Sequence, residues 1–119
     1  MAGPLLEGWV VIEAVKAFMA LGRKPDLYYW RSHDGLEVDL LIVIAGKLQP
    51  VEIKLPATPG AGHVVPLNRF LAVAVGEATG QGIIVCRTDR ERILPNGPIA
   101  MPWTSFPAWL RARLEKASG

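Results

Sequence analysis

Glu37-Val38-Asp39-Leu40-Leu41-Ile42-Val43-Ile44-Ala45-Gly46-Lys47-Leu48-Gln49-Pro50-Val51-Glu52-Ile53-Lys54-Leu55 is the stretch on which the fold turns. Residues 37–44 are rich in β-branched side chains and read as a strand. Gly46-Lys47 reads as a two-residue turn, and residues 48–55 as the returning strand. Pro50 has no N–H for a ladder, so the paired part is expected to begin at Val51. With that loop, partners sum to a constant. Ala45 then faces Leu48, Leu41 faces Glu52, and Asp39 faces Lys54. Glu52 and Lys54 are two apart and point to one face, with Glu52 diagonal to Asp39. A slip of one residue would set Asp39 against Ile53 and scatter the three. A carboxylate inside so apolar a strand needs a partner, because burying an unpaired charge is expensive.

The flanking segments follow by periodicity. Residues 5–21 read as a helix closed by Gly22 and Pro25. At roughly 100° per residue, Val10, Val11, Ala14, Val15, Phe18 and Leu21 share a broad face. Glu7 falls with Val11, Ala14 and Phe18 on the side expected to meet the sheet; Glu13 falls beside Lys16 on the polar side. Residues 27–31 are aromatic and extended, and residues 32–35 form a turn. Residues 56–62 hold two prolines and two glycines and read as a loop. Helical spacing predicts a second helix over 66–75. Residues 82–87 are a buried strand, 89–97 a polar connection, 99–101 a short edge strand, and 107–116 a last helix capped by Thr104 or Ser105. The expected fold class is α/β, with helices packed on a mixed sheet.

The chain has 119 residues, 50% of them hydrophobic, and a formal net charge of +2. This length fits one domain spanning residues 1–119. The longest apolar run, residues 40–45, is far short of the roughly 20 residues of a membrane span. Glu7 and Glu13 interrupt the apolar N-terminal stretch, so no signal peptide is read and a cytoplasmic location is expected. A single cysteine, Cys86, excludes an internal disulfide and a Cys-rich zinc site; it reads as a core thiol. A nearly balanced charge excludes a broad DNA-coating surface, although Arg87, Arg90 and Arg92 form a local basic strip. A mean hydropathy of +0.26 is high for a lone soluble domain and points to apolar surface meant for another chain.

Asp39, Glu52 and Lys54, with Glu7 from the first helix, make a set of oxygen ligands beside a cation. Such ligands bind Mg²⁺ or Mn²⁺ with several waters retained. The ion lowers the pKa of a bound water and stabilises charge on a phosphodiester, and a neighbouring lysine can orient that water or neutralise developing charge.

Here the sequence resembles a known family. Asp39 with Glu52-Ile53-Lys54 matches the D-x(n)-E-x-K signature of the PD-(D/E)XK nuclease superfamily, and Gly3-Pro4-Leu5-Leu6-Glu7 resembles the G-x-x-x-E start of its first helix. More closely, the chain resembles the C-terminal domain of unknown function of prokaryotic AAA+ ATPases. The segments that carry this likeness are Leu5-Leu6-Glu7-Gly8-Trp9-Val10, Tyr28-Tyr29-Trp30-Arg31, Glu37-Val38-Asp39-Leu40, Val51-Glu52-Ile53-Lys54 and Ile99-Ala100-Met101-Pro102-Trp103. The resemblance implies a restriction-endonuclease-like α/β/α sandwich over 1–119, with DNA as partner and Mg²⁺ as cofactor. It also implies an ATPase domain or partner chain. No G-x-x-x-x-G-K-[ST] occurs, so the chain itself is not expected to hydrolyse ATP, and it reads as a fragment, a split product or a free-standing relative.

The leading expectation is a divalent-metal-dependent phosphodiesterase acting on nucleic acid. Glu7, Asp39 and Glu52 would hold the metal, and Lys54 would assist the attacking water. Two alternatives stand beside it: a non-catalytic DNA-binding or protein-interaction module that kept the fold, and a homodimerisation domain. Asp39 and Lys54 alone are also consistent with a plain cross-strand ion pair, and Glu7 with a charge at a helix N-terminus. Arg31, Arg87, Arg90 and Arg92 are candidate phosphate contacts, against the reading of ordinary surface arginines. His33 and His63 read as turn and loop residues. Trp103 and Trp109 are candidates for contact with another domain.

Overall fold

The computed structural model describes residues 3–95 and 97–118. β1 (Leu27–Arg31), β2 (Glu37–Ile44) and β3 (Lys47–Ile53) form an antiparallel meander. β4 (Ile83–Cys86) runs parallel to β3. The short β5 (Arg92–Ile93) pairs antiparallel with β6 (Ile99–Pro102), which is parallel to β4. The sheet order is β1-β2-β3-β4-β6-β5. Among the described residues there are three α-helices: α1 (Gly3–Ala20), α2 (Ala61–Val73) and α3 (Phe106–Ser118). None of the helices is long and apolar enough to cross a membrane among the described residues.

The helices cover both faces of the sheet. Leu6, Val10, Ala14, Ala17 and Phe18 of α1 join Phe106, Leu110 and Leu114 of α3 over Leu40, Ile42, Val51, Ile53 and Val85. On the other face, Val64, Leu67 and Phe70 of α2 pack on Val38, Leu41, Ile84, Cys86 and Ala100. β4 is buried along its whole length, as a parallel strand under two helical layers should be. Cys86 is a buried free thiol, as expected.

The hairpin differs from its sequence reading. Ile44 faces Lys47, so the loop is Ala45-Gly46 and not Gly46-Lys47. Both loop residues have positive φ, +53° at Ala45 and +77° at Gly46, which is the type I′ turn. A glycine satisfies a two-residue loop at its first position in type II′ or at either position in type I′, so the sequence alone leaves the register open. The true register lies two residues from the expected one: Leu41 faces Pro50 rather than Glu52. Because strand side chains alternate with period two, this slip keeps every residue on its face. Counted from the turn-closing pair, Leu41 and Pro50 form a non-hydrogen-bonded pair. The missing N–H of Pro50 therefore faces away from β2, and pairing with β4 starts only at Val51. Pro50 is thus inside β3 and not before it.

Two other segments are corrected. Residues 99–101 are not an edge strand. The edge is β5, which lies within the stretch read as a polar connection and shields β6. α2 begins at Ala61, ahead of the expected residue 66, with Pro66 inside it. Pro66 removes only the bond its N–H would have made to Gly62. His63 therefore sits in the first turn of a helix and not in a loop, where its Nδ1 accepts the Gly60 N–H at 3.1 Å.

The loop chemistry is testable. Alanine in the left-handed region costs about 1 kcal/mol that Asn or Gly avoids. Ala45→Asn is expected to raise the thermal unfolding midpoint by a few degrees, and Gly46→Ala to lower it by a similar amount. Melting curves of the two variants check this.

Candidate active site

β2 carries one residue more than β1 matches. Tyr28 faces Leu41 and Trp30 faces Val38, so Asp39 and Leu40 together stand opposite Tyr29. This is a β-bulge, a device that re-aims side chains. Its effect is visible in the packing. Val38 and Leu41 are three apart, yet both lie under α2, where a regular strand would send them to opposite faces.

On the other side of β2, pairing with β3 runs as far as Leu40 against Val51. Beyond that point side chains replace the ladder. The Asp39 N–H donates to Glu52 Oε1 at 2.9 Å, and the Ile53 N–H donates to Asp39 Oδ2 at 2.9 Å. Each carboxylate thus satisfies a backbone donor of the opposite strand. Lys54 Nζ lies 3.6 Å from Glu52 Oε2 and 3.9 Å from Asp39 Oδ2. Its own N–H donates to the Val85 carbonyl at 3.0 Å, which ties the lysine backbone to β4. The three residues read from the sequence as one cluster are therefore together, with Asp39 across from Glu52 instead of Lys54.

The cluster grades from buried to open. The Glu52 side chain is 3% exposed, Asp39 15% and Lys54 36%. Burial, and then the charge of Asp39, push the Glu52 carboxyl up to about 7, while the Asp39 N–H and the Lys54 ammonium oppose the shift. Glu52 therefore keeps its proton well above the pH at which an ordinary carboxylate releases it.

Glu7 is not buried. It is exposed on α1, and the stripe that meets the sheet runs Leu6, Val10, Ala14, Ala17 and Phe18. By angle Glu7 does fall between Ala14 and Phe18, both buried, but an angle around the axis does not say what packs at that height along the helix. Leu5, Ile12 and Met19 remain 66%, 59% and 63% exposed on the opposite side, apolar surface of the kind the mean hydropathy announces. The start of α1 does approach the site, since a Cβ on Gly3 would meet Leu55 Cδ1 at 3.6 Å. Among the described residues no three carboxylate, imidazole or thiol groups gather as a metal-binding set. Glu13 pairs with Lys16 at 3.1 Å, as its spacing suggests, but its side chain is only 16% exposed.

The arginines take separate places. Arg31 pairs with Glu37 at 3.4 Å on the surface. Arg87 directly follows β4 and is exposed, as is Arg90. Arg92 is engaged internally. Its guanidinium donates to Thr88 Oγ1 at 2.7 Å and reaches the Ala57 carbonyl at 3.4 Å. It thereby braces the loop that follows Lys54. Trp9, Trp103 and Trp109 pack within the chain. Trp103 meets Trp9 edge-on at 5.2 Å, and Trp109 stacks on Phe106.

Sequence reasoning missed a cleft of about 610 Å³ between the β1–β2 turn and α2, lined by Trp30, Arg31, Ser32, His33, Asp34, Arg69 and Val73. Arg69 closes it by pairing with Asp34 at 3.2 Å. Ser32 and Arg69 hold the Asp34 carboxyl below its ordinary value by hydrogen bonding. The contact joins residues 35 apart in sequence, so no local signal marks it.

A family model described as Domain of unknown function (DUF4143) matches residues 2–106. The chain belongs to this DUF4143 family. Comparison with curated proteins and with solved structures found no match. The DUF4143 match takes in Glu7, Asp39, Glu52, Lys54 and every arginine discussed above, and it ends where α3 begins.

The electrostatics give a signed expectation. Glu52 has an ordinary value of 4.5 and a folded one of about 7. Between those values the folded chain keeps a proton that the unfolded chain has lost, so stability falls as pH rises through this window. Melting in EDTA is expected to show wild-type protein less stable at about pH 8 than at about pH 5, by an amount on the order of 2 kcal/mol. Glu52→Gln keeps an acceptor for the Asp39 N–H without the charge and is expected to lose most of that dependence.

Proposed function

We propose that this DUF4143 chain is a nuclease-like domain of the restriction-endonuclease-like α/β/α type, a divalent-metal-dependent phosphodiesterase acting on nucleic acid. The observation that carries the reading is the meeting of Asp39, Glu52 and Lys54 at one end of a mixed sheet, where β2 and β3 part. Two carboxylates in contact, one of them buried and short of counter-charge, suit a hard cation. Mg²⁺ commonly takes one or two protein carboxylates and keeps its waters, so the donor set fits without Glu7. Asp39 and Glu52 would hold the ion. When bound, Mg²⁺ or Mn²⁺ supplies charge stabilisation for a phosphodiester and a more acidic water.

The chain's own groups do the rest. The backbone donors of Asp39 and Ile53 fix both carboxylates in place before any ligand arrives, which is the preorganisation a polar site needs. Lys54 presents an ammonium on the open side of the pair, where it can neutralise charge developing on a phosphate oxygen. Arg87 and Arg90 stand beyond the neighbouring strand β4 and offer cations to a nucleic-acid backbone. Glu7 stands exposed on α1 and is left a supporting part at the rim. The family resemblance of the sequence supports a P-loop ATPase, attached or separate, as the partner of the domain.

A second reading has an observation of its own. Both carboxylates already accept backbone N–H groups, and Lys54 lies against them. That arrangement also serves as a purely structural lock in a non-catalytic DNA-binding or interaction module.

Cleavage separates the two. With Mg²⁺ or Mn²⁺, wild-type protein is expected to nick or degrade DNA or RNA, and Asp39→Asn and Lys54→Ala to lose at least about a hundredfold of the rate. A wild-type protein that binds neither ion by calorimetry and cleaves nothing, while Asp39→Asn only shifts its melting point, would leave the structural lock.

A further inference from the structure

The cleft beside Trp30 lies on the same face of the sheet as the carboxylates. Trp30 meets Phe70 of α2 edge-on at 5.5 Å and packs with the α2-side core. Glu52 is level with Ile84 across the parallel ladder, and Ile84 belongs to that same core. Residues level across a ladder share a face, so Glu52 and Lys54, two residues on, project to the α2 side as well. The two places are also close along the strands, since Trp30 faces Val38, the residue before Asp39.

The walls of the cleft are of two kinds. Trp30 and Val73 are apolar, while Arg31, His33, Asp34 and Arg69 are polar or charged. Arg69 is held by an open surface pair with Asp34, its own side chain 46% exposed, whereas Arg31, one residue from Trp30 on β1, projects to the other face and pairs with Glu37. Exposed pairs of this type are worth little, so a phosphate can replace the carboxylate partner of Arg69 at small cost. Tyr28 extends the aromatic surface. It is two residues from Trp30 on the edge strand, hence on the same face, and is 59% exposed.

We infer that this cleft seats an unpaired nucleotide of a nucleic-acid strand, with its base against Trp30 and a flanking phosphate on Arg69, and with Tyr28 stacking a neighbouring base. The substrate class is therefore single-stranded nucleic acid, or a single-stranded segment of a larger one. This deepens the nuclease-like reading and rests on it. A duplex keeps its base faces inside the stack, whereas an unpaired strand offers them to aromatic side chains. Stacking accepts every base, so no sequence preference is expected. The strand that enters the cleft leads on toward Asp39 and Lys54.

Binding in EDTA tests this without any cleavage. The probes are a fluorescein-labelled oligothymidylate, an oligouridylate and a duplex of the same length, read by fluorescence anisotropy. At least one single strand is expected to bind roughly tenfold tighter than the duplex, and Tyr28→Ala and Arg69→Ala each to weaken it by roughly fivefold or more with an unchanged melting point. The two single strands distinguish DNA from RNA. Equal affinity for the duplex, or wild-type affinity in both variants, overturns the inference. So does a cleft that takes neither oligonucleotide, which would leave it to a protein partner. The two failures are distinguishable. Strand binding without metal-dependent cleavage overturns only the catalytic reading, and cleavage without a single-strand preference overturns only this one.

Discussion

Where β2 and β3 part, two carboxylates stand in for the ladder. Asp39 and Glu52 each accept an N–H from the opposite strand, and the strands can separate there without orphaned donors. Everything near the site follows from that exchange. It lets β2 carry a bulge against β1 while staying in register with β3 down to Val51. It holds Glu52 in a place 3% open to solvent, which raises its proton affinity. It also sets Lys54 at the border between core and water. Removing a carboxylate would leave a donor unpaired in the middle of the sheet, a cost of about 1–3 kcal/mol.

Much of this arrangement is legible in residues 37–55, and the reason is the period of two. The sequence register that brings Asp39, Glu52 and Lys54 together is two residues off. An even slip preserves faces, so the cluster survives an error in the loop. The loop itself is not legible, because nothing in the sequence marks an alanine for a φ of +53°. Glu7 shows the opposite case. Angle places it between Ala14 and Phe18, both buried, yet the expected inward carboxylate is an exposed one, because the angle carries no information on what packs at that height of the helix. Contacts between distant segments carry no local mark at all, which is why the Asp34–Arg69 pair and its cleft emerge only from the fold.

The edges of the sheet divide the work. β5 is too short to offer a long unpaired edge, and it covers β6 so that the parallel strands stay internal. β1 is the open edge, and beside the charged Arg31 at its end it exposes the two aromatic side chains Tyr28 and Tyr29. The bulge sits across from that aromatic edge and itself carries Asp39, so the irregular part of β2 joins the aromatic surface to the carboxylates.

α3 limits where the chain can be cut. The family match ends at residue 106, yet Phe106, Leu110 and Leu114 are fully buried against α1 and the sheet. A chain cut at the end of the match would strip one side of α1, and the two leucines alone withdraw roughly 3–6 kcal/mol of apolar burial. That is comparable to the whole stability of a small domain. The boundary that sequence similarity draws therefore falls inside the cooperative unit, and a protein trimmed to it would expose its own core to aggregation.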